Sequence, residues 1–145
     1  MITTERLIQE AREARSKAYV PYSHFSVGAA LATRDGKIYH GCNVENASYG
    51  LTNCAERTAF FRAIADGQKP GDFVSLAVVA ETDGPISPCG ACRQVILELG
   101  GTGLQVILAN MGDAVDVTTP ERLLPGGFTR ADLSAGKVAK TPGNG

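Results

Sequence analysis

Apolar residues recur near the start of the chain at intervals of four, three and four: Leu7, Ala11, Ala14 and Ala18. That spacing puts one face of a helix toward a core. Thr3 or Thr4 supplies a capping hydroxyl, and the pattern predicts a stop at Val20-Pro21, where proline blocks continuation. The period then changes. Ser26 to Thr33 is rich in small and apolar residues and Lys37 to Asn43 alternates, with Arg34-Asp35-Gly36 between them as a turn. These two runs read as a β-hairpin.

Helix-favouring residues return from Asn53 to Asp66, with Ala55, Ala59, Phe60, Ala63 and Ile64 available for burial and Gly67 as the stop. Phe73 to Ala80 is a compact apolar run, as in a central strand. Ser87-Pro88 predicts the opening of another helix, because the first helical N–H has no partner to lose. Val95, Ile96 and Leu99 give that helix its apolar side. Leu104 to Ala109 reads as a buried strand and Val115 to Thr118 as an edge strand. Leu123 to Phe128 reads as a turn, with a brief helix near Asp132. The order α, β, β, α, β, α, β, β predicts an α/β fold with helices packed on a mixed sheet. A single domain is expected over 1–136, and 137–145, with nothing to bury, as a flexible tail.

At 145 residues the chain is long enough to bury roughly two-thirds of its unfolded surface without help from a staple. Apolar residues make up 43% and charged residues 20%, the balance of an ordinary globular protein. Lys plus Arg number 14 against 15 Asp plus Glu, so no field gathers a polyanion and a nucleic-acid partner is not expected. No apolar run approaches the roughly 20 residues of a membrane span. Thr3, Glu5, Arg6, Gln9 and Glu10 interrupt any export signal, so a cytoplasmic location is expected. In that reducing setting four cysteines read as metal ligands or free thiols rather than two disulfides.

The chemistry concentrates in Cys54-Ala55-Glu56-Arg57 and Pro88-Cys89-Gly90-Ala91-Cys92. Three thiols offer soft ligands to one Zn²⁺, and Glu56 is placed to handle protons on metal-bound water. The predicted helices put Cys54 at the start of one and Cys89 and Cys92 in the first turn of the next, where helix N-termini stabilise thiolates. Arg57 is a candidate hydrogen-bond donor to the sulfurs. Rival readings remain at this point. Cys42 is available as a fourth ligand of an inert structural site, or is a small buried apolar residue. A redox C-x-x-C is poorer, since it leaves Cys54 and Glu56 unused. Asn43 and Glu45, two apart on an extended segment, share a face and can converge on one polyol, or simply serve turn chemistry. Phe25 and Phe128 read as core aromatics or as pocket walls. His24 reads as a surface or hydrogen-bonding residue.

A C-x-E element followed by P-C-x-x-C resembles the zinc nucleobase and nucleoside deaminase signature. Joined to Tyr22 through Leu31, to Gly41 through Tyr49 and to Leu123-Leu124-Pro125-Gly126-Gly127-Phe128, it closely resembles the small homotetrameric cytidine deaminases, in order from about Tyr19 to Leu133. The resemblance implies an α/β/α layered sandwich around a mixed five-stranded sheet. It implies hydrolysis of cytidine and 2′-deoxycytidine to the uridine nucleosides and ammonia, with one Zn²⁺ per chain on Cys54, Cys89 and Cys92 and Glu56 as proton shuttle. It further implies that Asn43 and Glu45 hold the ribose hydroxyls, that Phe25 and Ala55 line the nucleoside pocket, and that Ala47, Tyr49 and Phe128 reach a neighbouring subunit's site, with Phe128 stacking on the base.

Free nucleosides are the expected substrates, because no glycine-rich phosphate loop or Lys/Arg cluster accompanies the site motifs. The nearest rival within the fold is a blasticidin-type aminonucleoside deaminase, against which Asn43-Val44-Glu45-Asn46-Ala47 favours a plain ribose. From another class comes the inert zinc-stabilised binding module, with Cys42 closing the metal shell.

Overall fold

The computed structural model describes residues 1–134, so the expected domain end at 136 and the tail over 137–145 lie outside the described residues. Helix α1 (Thr4–Arg15) opens with Thr3, whose hydroxyl accepts from Arg6 N at 3.1 Å. It buries Leu7, Ile8, Ala11 and Ala14, but it stops at Arg15, before the predicted boundary. Lys17 N and Ala18 N bond three residues back, to Ala14 O and Arg15 O, and the Ser16 hydroxyl donates to Glu13 O at 2.6 Å. Tyr19 is drawn instead into an extended pairing with Val44, through Tyr19 N to Asn43 O and Glu45 N to Tyr19 O. Tertiary pairing thus ends the helix before the proline does, and Ala18 is only half-buried.

Strands β1 (Val27–Thr33) and β2 (Ile38–Cys42) form the expected antiparallel hairpin, with Gly36 at φ 86° in its turn. Helix α2 (Ala55–Ala65) buries Ala55, Glu56, Ala59, Phe60 and Ala63, while Ile64, read as available for burial, is exposed. Strand β3 (Phe73–Ala80) leads to helix α3 (Gly90–Val95), which continues in wider π-type turns over Ile96–Gly100. Pro88 does not stand inside α3, as the sequence suggested. Cys89 is the N-cap, and Pro88 precedes it. Strands β4 (Gln105–Asn110) and β5 (Val115–Thr118) and the short helix α4 (Pro120–Leu123) follow, with a last helical stretch over 130–134.

The five strands order as β2-β1-β3-β4-β5, with β3 and β4 parallel and the other pairs antiparallel. Side chains alternate across this sheet. Ala30, Ala32, Ala77, Val79, Ile107 and Ala109 face α1, and Ala29, Leu31, Leu76, Val78, Val106 and Leu108 face α2 and α3, so the sheet is the middle of three layers. Two glycines set the spacing. A Cβ on Gly28 would lie 2.0 Å from Ala11 O on α1, and one on Gly41 would lie 2.2 Å from Ala55 O on α2. Both helices therefore rest directly on strand backbone, and the start of α2 is held against the end of β2.

Candidate active site

The site lies at the end of the sheet where β2 and β3 finish and β1 begins. Cys54 caps α2 and Cys89 caps α3, with Cys92 in the first turn of α3 and fully buried. Packing of the two helix starts brings the three Sγ atoms within 4.8 Å of one another. Cys54 Sγ and Cys89 Sγ are 3.7 Å apart. Tetrahedral Zn–S bonds of about 2.3 Å separate sulfurs by about 3.8 Å, so the donor set fits zinc in geometry as well as in softness.

Electrostatics ask for the same ion. The Cys54 thiol is pulled down to about 5, chiefly by a hydrogen bond from Cys92 and further by Arg57, against the cost of burial. Cys92 is correspondingly pushed up, first by the proton it shares with Cys54 and then by its burial. The negative charge that Cys54 carries beside Cys92 is charge that a bound cation would neutralise. Cys42 does not join them: its Sγ points to Lys17 O at 3.5 Å, and among the described residues the group has three thiols. This removes the basis for an inert four-cysteine shell. It leaves Cys42 as a half-buried thiol whose pKa is raised by desolvation.

Glu56, in the first turn of α2, is 4% exposed. Burial pushes its carboxyl up to about 7, and the Cys54 charge adds to that push. A carboxyl at this value both takes and gives protons near neutral pH. Arg57 turns back over the helix start and donates from Nη2 to Cys54 Sγ at 3.3 Å.

A cavity of about 270 Å³ opens beside these groups, lined by Cys54, Ala55, Glu56 and Cys89 on one side and by Ser23, Phe25, Asn43 and Glu45 on another. Val44 links them, exchanging backbone bonds at 3.0 Å both ways with Asn53, the residue before Cys54. Asn43 braces the cavity wall: Oδ1 accepts from Val27 N at 2.9 Å and Nδ2 donates to Phe25 O at 2.8 Å. One N–H of its amide is left for a ligand. Glu45 accepts from Tyr22 N at 2.9 Å, from Ser23 N at 3.1 Å, and from the Ser23 hydroxyl. The Ser23 hydroxyl, first among these bonds, holds the carboxyl below its ordinary value. His24 is exposed and takes φ 57° in the turn that carries Phe25 into the wall.

Ala47, Tyr49 and Phe128 are exposed and do not line this cavity. Tyr49 packs edge-on against Tyr22, with ring centroids 5.7 Å apart. Sequence reasoning passed over Ser23, Val27, Ile86 and Ser87, which complete the wall. Ser23 beside Phe25 and Ser87 beside the Pro88-Cys89 pair were the available signals, but small polar residues next to a motif carry little pattern of their own.

A three-layer α/β/α fold that brings three cysteine thiols and a buried carboxyl together beside a cavity defines a zinc-dependent hydrolytic deaminase. The model of the cytidine and deoxycytidylate deaminase zinc-binding region matches residues 1–108, and the chain belongs to that family. It is 58% identical over 130 residues to a cytidine deaminase of Sporosarcina psychrophila, covering 90% of this chain and 94% of the relative. It superposes on the crystal structure of cytidine deaminase from Burkholderia pseudomallei with a TM-score of 0.86 at 63% identity, covering 87% of this chain and 99% of the other. The blasticidin-S deaminase of Bacillus cereus is more distant, 33% identical over 132 residues, 86% of this chain and 91% of that protein.

Proposed function

We propose that this protein hydrolyses cytidine and 2′-deoxycytidine to the uridine nucleosides and ammonia. The observation that carries the reading is the buried Glu56 carboxyl beside three convergent thiols, facing a cavity with an amide and a carboxylate on its far wall. Cys54, Cys89 and Cys92 hold one Zn²⁺. When bound, that ion supplies the Lewis acidity that makes water a nucleophile near neutral pH.

Glu56 does the proton work. It accepts the proton given up by water, delivers it to N3 of the cytosine ring, and carries a second to the C4 amino group, which departs as ammonia as the C4–O bond replaces C4–N. Arg57 neutralises part of the sulfur charge through Cys54. Asn43 and Glu45 orient the ribose hydroxyls, Ala55 presents a small buried surface beneath the base, and Phe25 closes the wall. No Lys or Arg lines the cavity among the described residues, which favours nucleosides over nucleotides. The near-neutral net charge likewise favours a small substrate over a polynucleotide.

The cavity is small for a nucleoside site and the aromatic residues Tyr49 and Phe128 stand exposed outside it. Both points support self-association in which Ala47, Tyr49 and Phe128 complete a neighbour's site, Phe128 by stacking on the base; the homotetramer is the assembly that the family resemblance implies. Thiols that must stay reduced to hold metal support the cytoplasm as the working compartment. No described helix is long and apolar enough to cross a membrane.

The test is ammonia release from cytidine, deoxycytidine and their monophosphates, with and without a chelator, for the wild type and Glu56→Ala. Both nucleosides should turn over and the monophosphates should not. Glu56→Ala should keep its zinc and fold while kcat falls by about 10² to 10⁴ or more. Near wild-type kcat in that variant would refute the assignment.

A further inference from the structure

Arg93 and Gln94, the two residues that follow Cys92, tie the metal loop to a distant part of the chain. The Arg93 guanidinium donates three ways: Nε to Pro88 O at 2.9 Å, Nη2 to Ser87 Oγ at 2.6 Å, and Nη1 to Leu123 O at 2.8 Å. Pro88 and Ser87 lead directly into Cys89, and Ser87 lines the cavity. Leu123 ends α4 and begins the Leu123–Phe128 turn. Gln94 then holds the far end of that turn, donating from Nε2 to Phe128 O at 2.7 Å. Between the two anchors the chain makes one internal backbone bond, Gly127 N to Leu124 O at 3.3 Å. It passes so close to the wider turns of α3 that a Cβ on Gly127 would lie 2.5 Å from Leu97 Cδ2.

The result is a segment whose backbone is pinned while its aromatic ring stays out, 57% exposed. Fixing a ring before it meets a ligand lowers the ordering cost of binding. We propose that Arg93 and Gln94 are positioning residues, a bracket that holds Phe128 in register with the metal loop and so sets nucleoside affinity in the adjoining subunit. This rests on the reading that Phe128 stacks on the base in a neighbour's site. It goes further by assigning affinity at one site to a hydrogen bond in another subunit, made by a side chain that touches neither metal nor substrate.

The chain contains no tryptophan, so Phe128→Trp installs a single indole at the tip. The experiment uses the zinc-loaded assembly carrying Phe128→Trp, alone and with Gln94→Glu or Gln94→Met, both close in shape to glutamine and both lacking the Nε2 donor. Indole emission is titrated with uridine, which binds without turning over, alongside KM and kcat for cytidine, zinc content and urea midpoint. Expected is a uridine-dependent emission change that moves to about two- to tenfold higher concentration in both Gln94 variants. KM should rise in parallel, kcat should stay within about twofold, and zinc content and urea midpoint should match the Phe128→Trp parent. Equal uridine midpoints with and without the Gln94 amide overturn the bracket while leaving the role of Phe128 intact. An indole that never responds to uridine in the parent overturns the stacking reading and the bracket with it.

Discussion

Arg57 Nη2 sits 3.3 Å from Cys54 Sγ, so a cation occupies the first turn of α2, where the helix dipole alone would disfavour it. The arrangement is stable because the sulfur charge more than compensates: contact with Cys54 raises the arginine's pKa above its already high value. Relieving the sulfurs of negative charge would keep a metal held by three thiolates a useful Lewis acid. Arg57→Gln should retain zinc by elemental analysis and lower kcat by about 10- to 100-fold with little change in KM. Unchanged kcat would show that the guanidinium does no more than pack.

Gly41 carries the position of α2. A Cβ there would stand 2.2 Å from Ala55 O and 2.5 Å from Ala59 N, both backbone atoms that cannot swing aside. Gly41→Ala should lower the unfolding free energy by about 1–3 kcal/mol, read as a drop in the urea midpoint. It should also reduce activity, because Cys54 and Glu56 move with the helix. Gly50→Ala, where nothing lies within 4 Å, is the matched control and should leave the midpoint in place.

Glu45 gives a pH signature separable from that of Glu56. Its folded pKa is depressed by the Ser23 hydroxyl and by the backbone N–H groups of Ser23 and Tyr22. A depressed carboxyl stays ionised above its unfolded value and loses its negative form only as pH falls through the lower folded value. KM for cytidine should therefore be flat from neutrality down to about pH 4.5 and rise only below it. In Ser23→Ala, which removes the first of those donors, the rise should begin at higher pH. A profile identical to wild type would detach Ser23 from the carboxylate's ionisation.

The proposed sharing of sites between subunits predicts complementation. At cytidine concentrations well below the raised KM of Phe128→Ala, that variant and Glu56→Ala are each expected to be weakly active alone. Mixed by co-expression, they should regain a substantial fraction of wild-type activity, because a Phe128→Ala subunit keeps its own Glu56 and can borrow Phe128 from a Glu56→Ala neighbour. If every site were built from a single chain, the mixture would be no better than its parts.

The three-residue spacing of Cys89 and Cys92 on a helix start, and the Cys54-x-Glu56 pair on another, were legible because local chemistry fixes them: a helix N-terminus is written by its caps and breakers. The hairpin was legible from the turn at Arg34-Asp35-Gly36 and the alternation of Lys37 to Asn43, and the two parallel strands from short continuous apolar runs bounded by turn residues. The early end of α1 was not, because Ala18 fits the helical stripe and only the pairing of Tyr19 with Val44 competes with it. Nor was the exposure of Ile64 on a helix whose narrow buried face is set by Gly41 and β2. Asn43 was read as a sugar-binding residue, and its clamp on Phe25 and Val27 is a contact between segments that the chain order does not reveal.

By itself the sequence determined most of the element types, the candidate metal donors and the carboxyl two residues from Cys54, since these depend on residue identity and on spacings within one helical turn. Tertiary structure alone decided that Cys42 stays apart from the thiols, that burial raises the Glu56 carboxyl above the ordinary carboxylate range, and that Arg93 and Gln94 join the metal loop to Phe128. Each of those outcomes depends on desolvation or on hydrogen bonds between residues far apart in the chain, and both arise only when the helices close over the sheet.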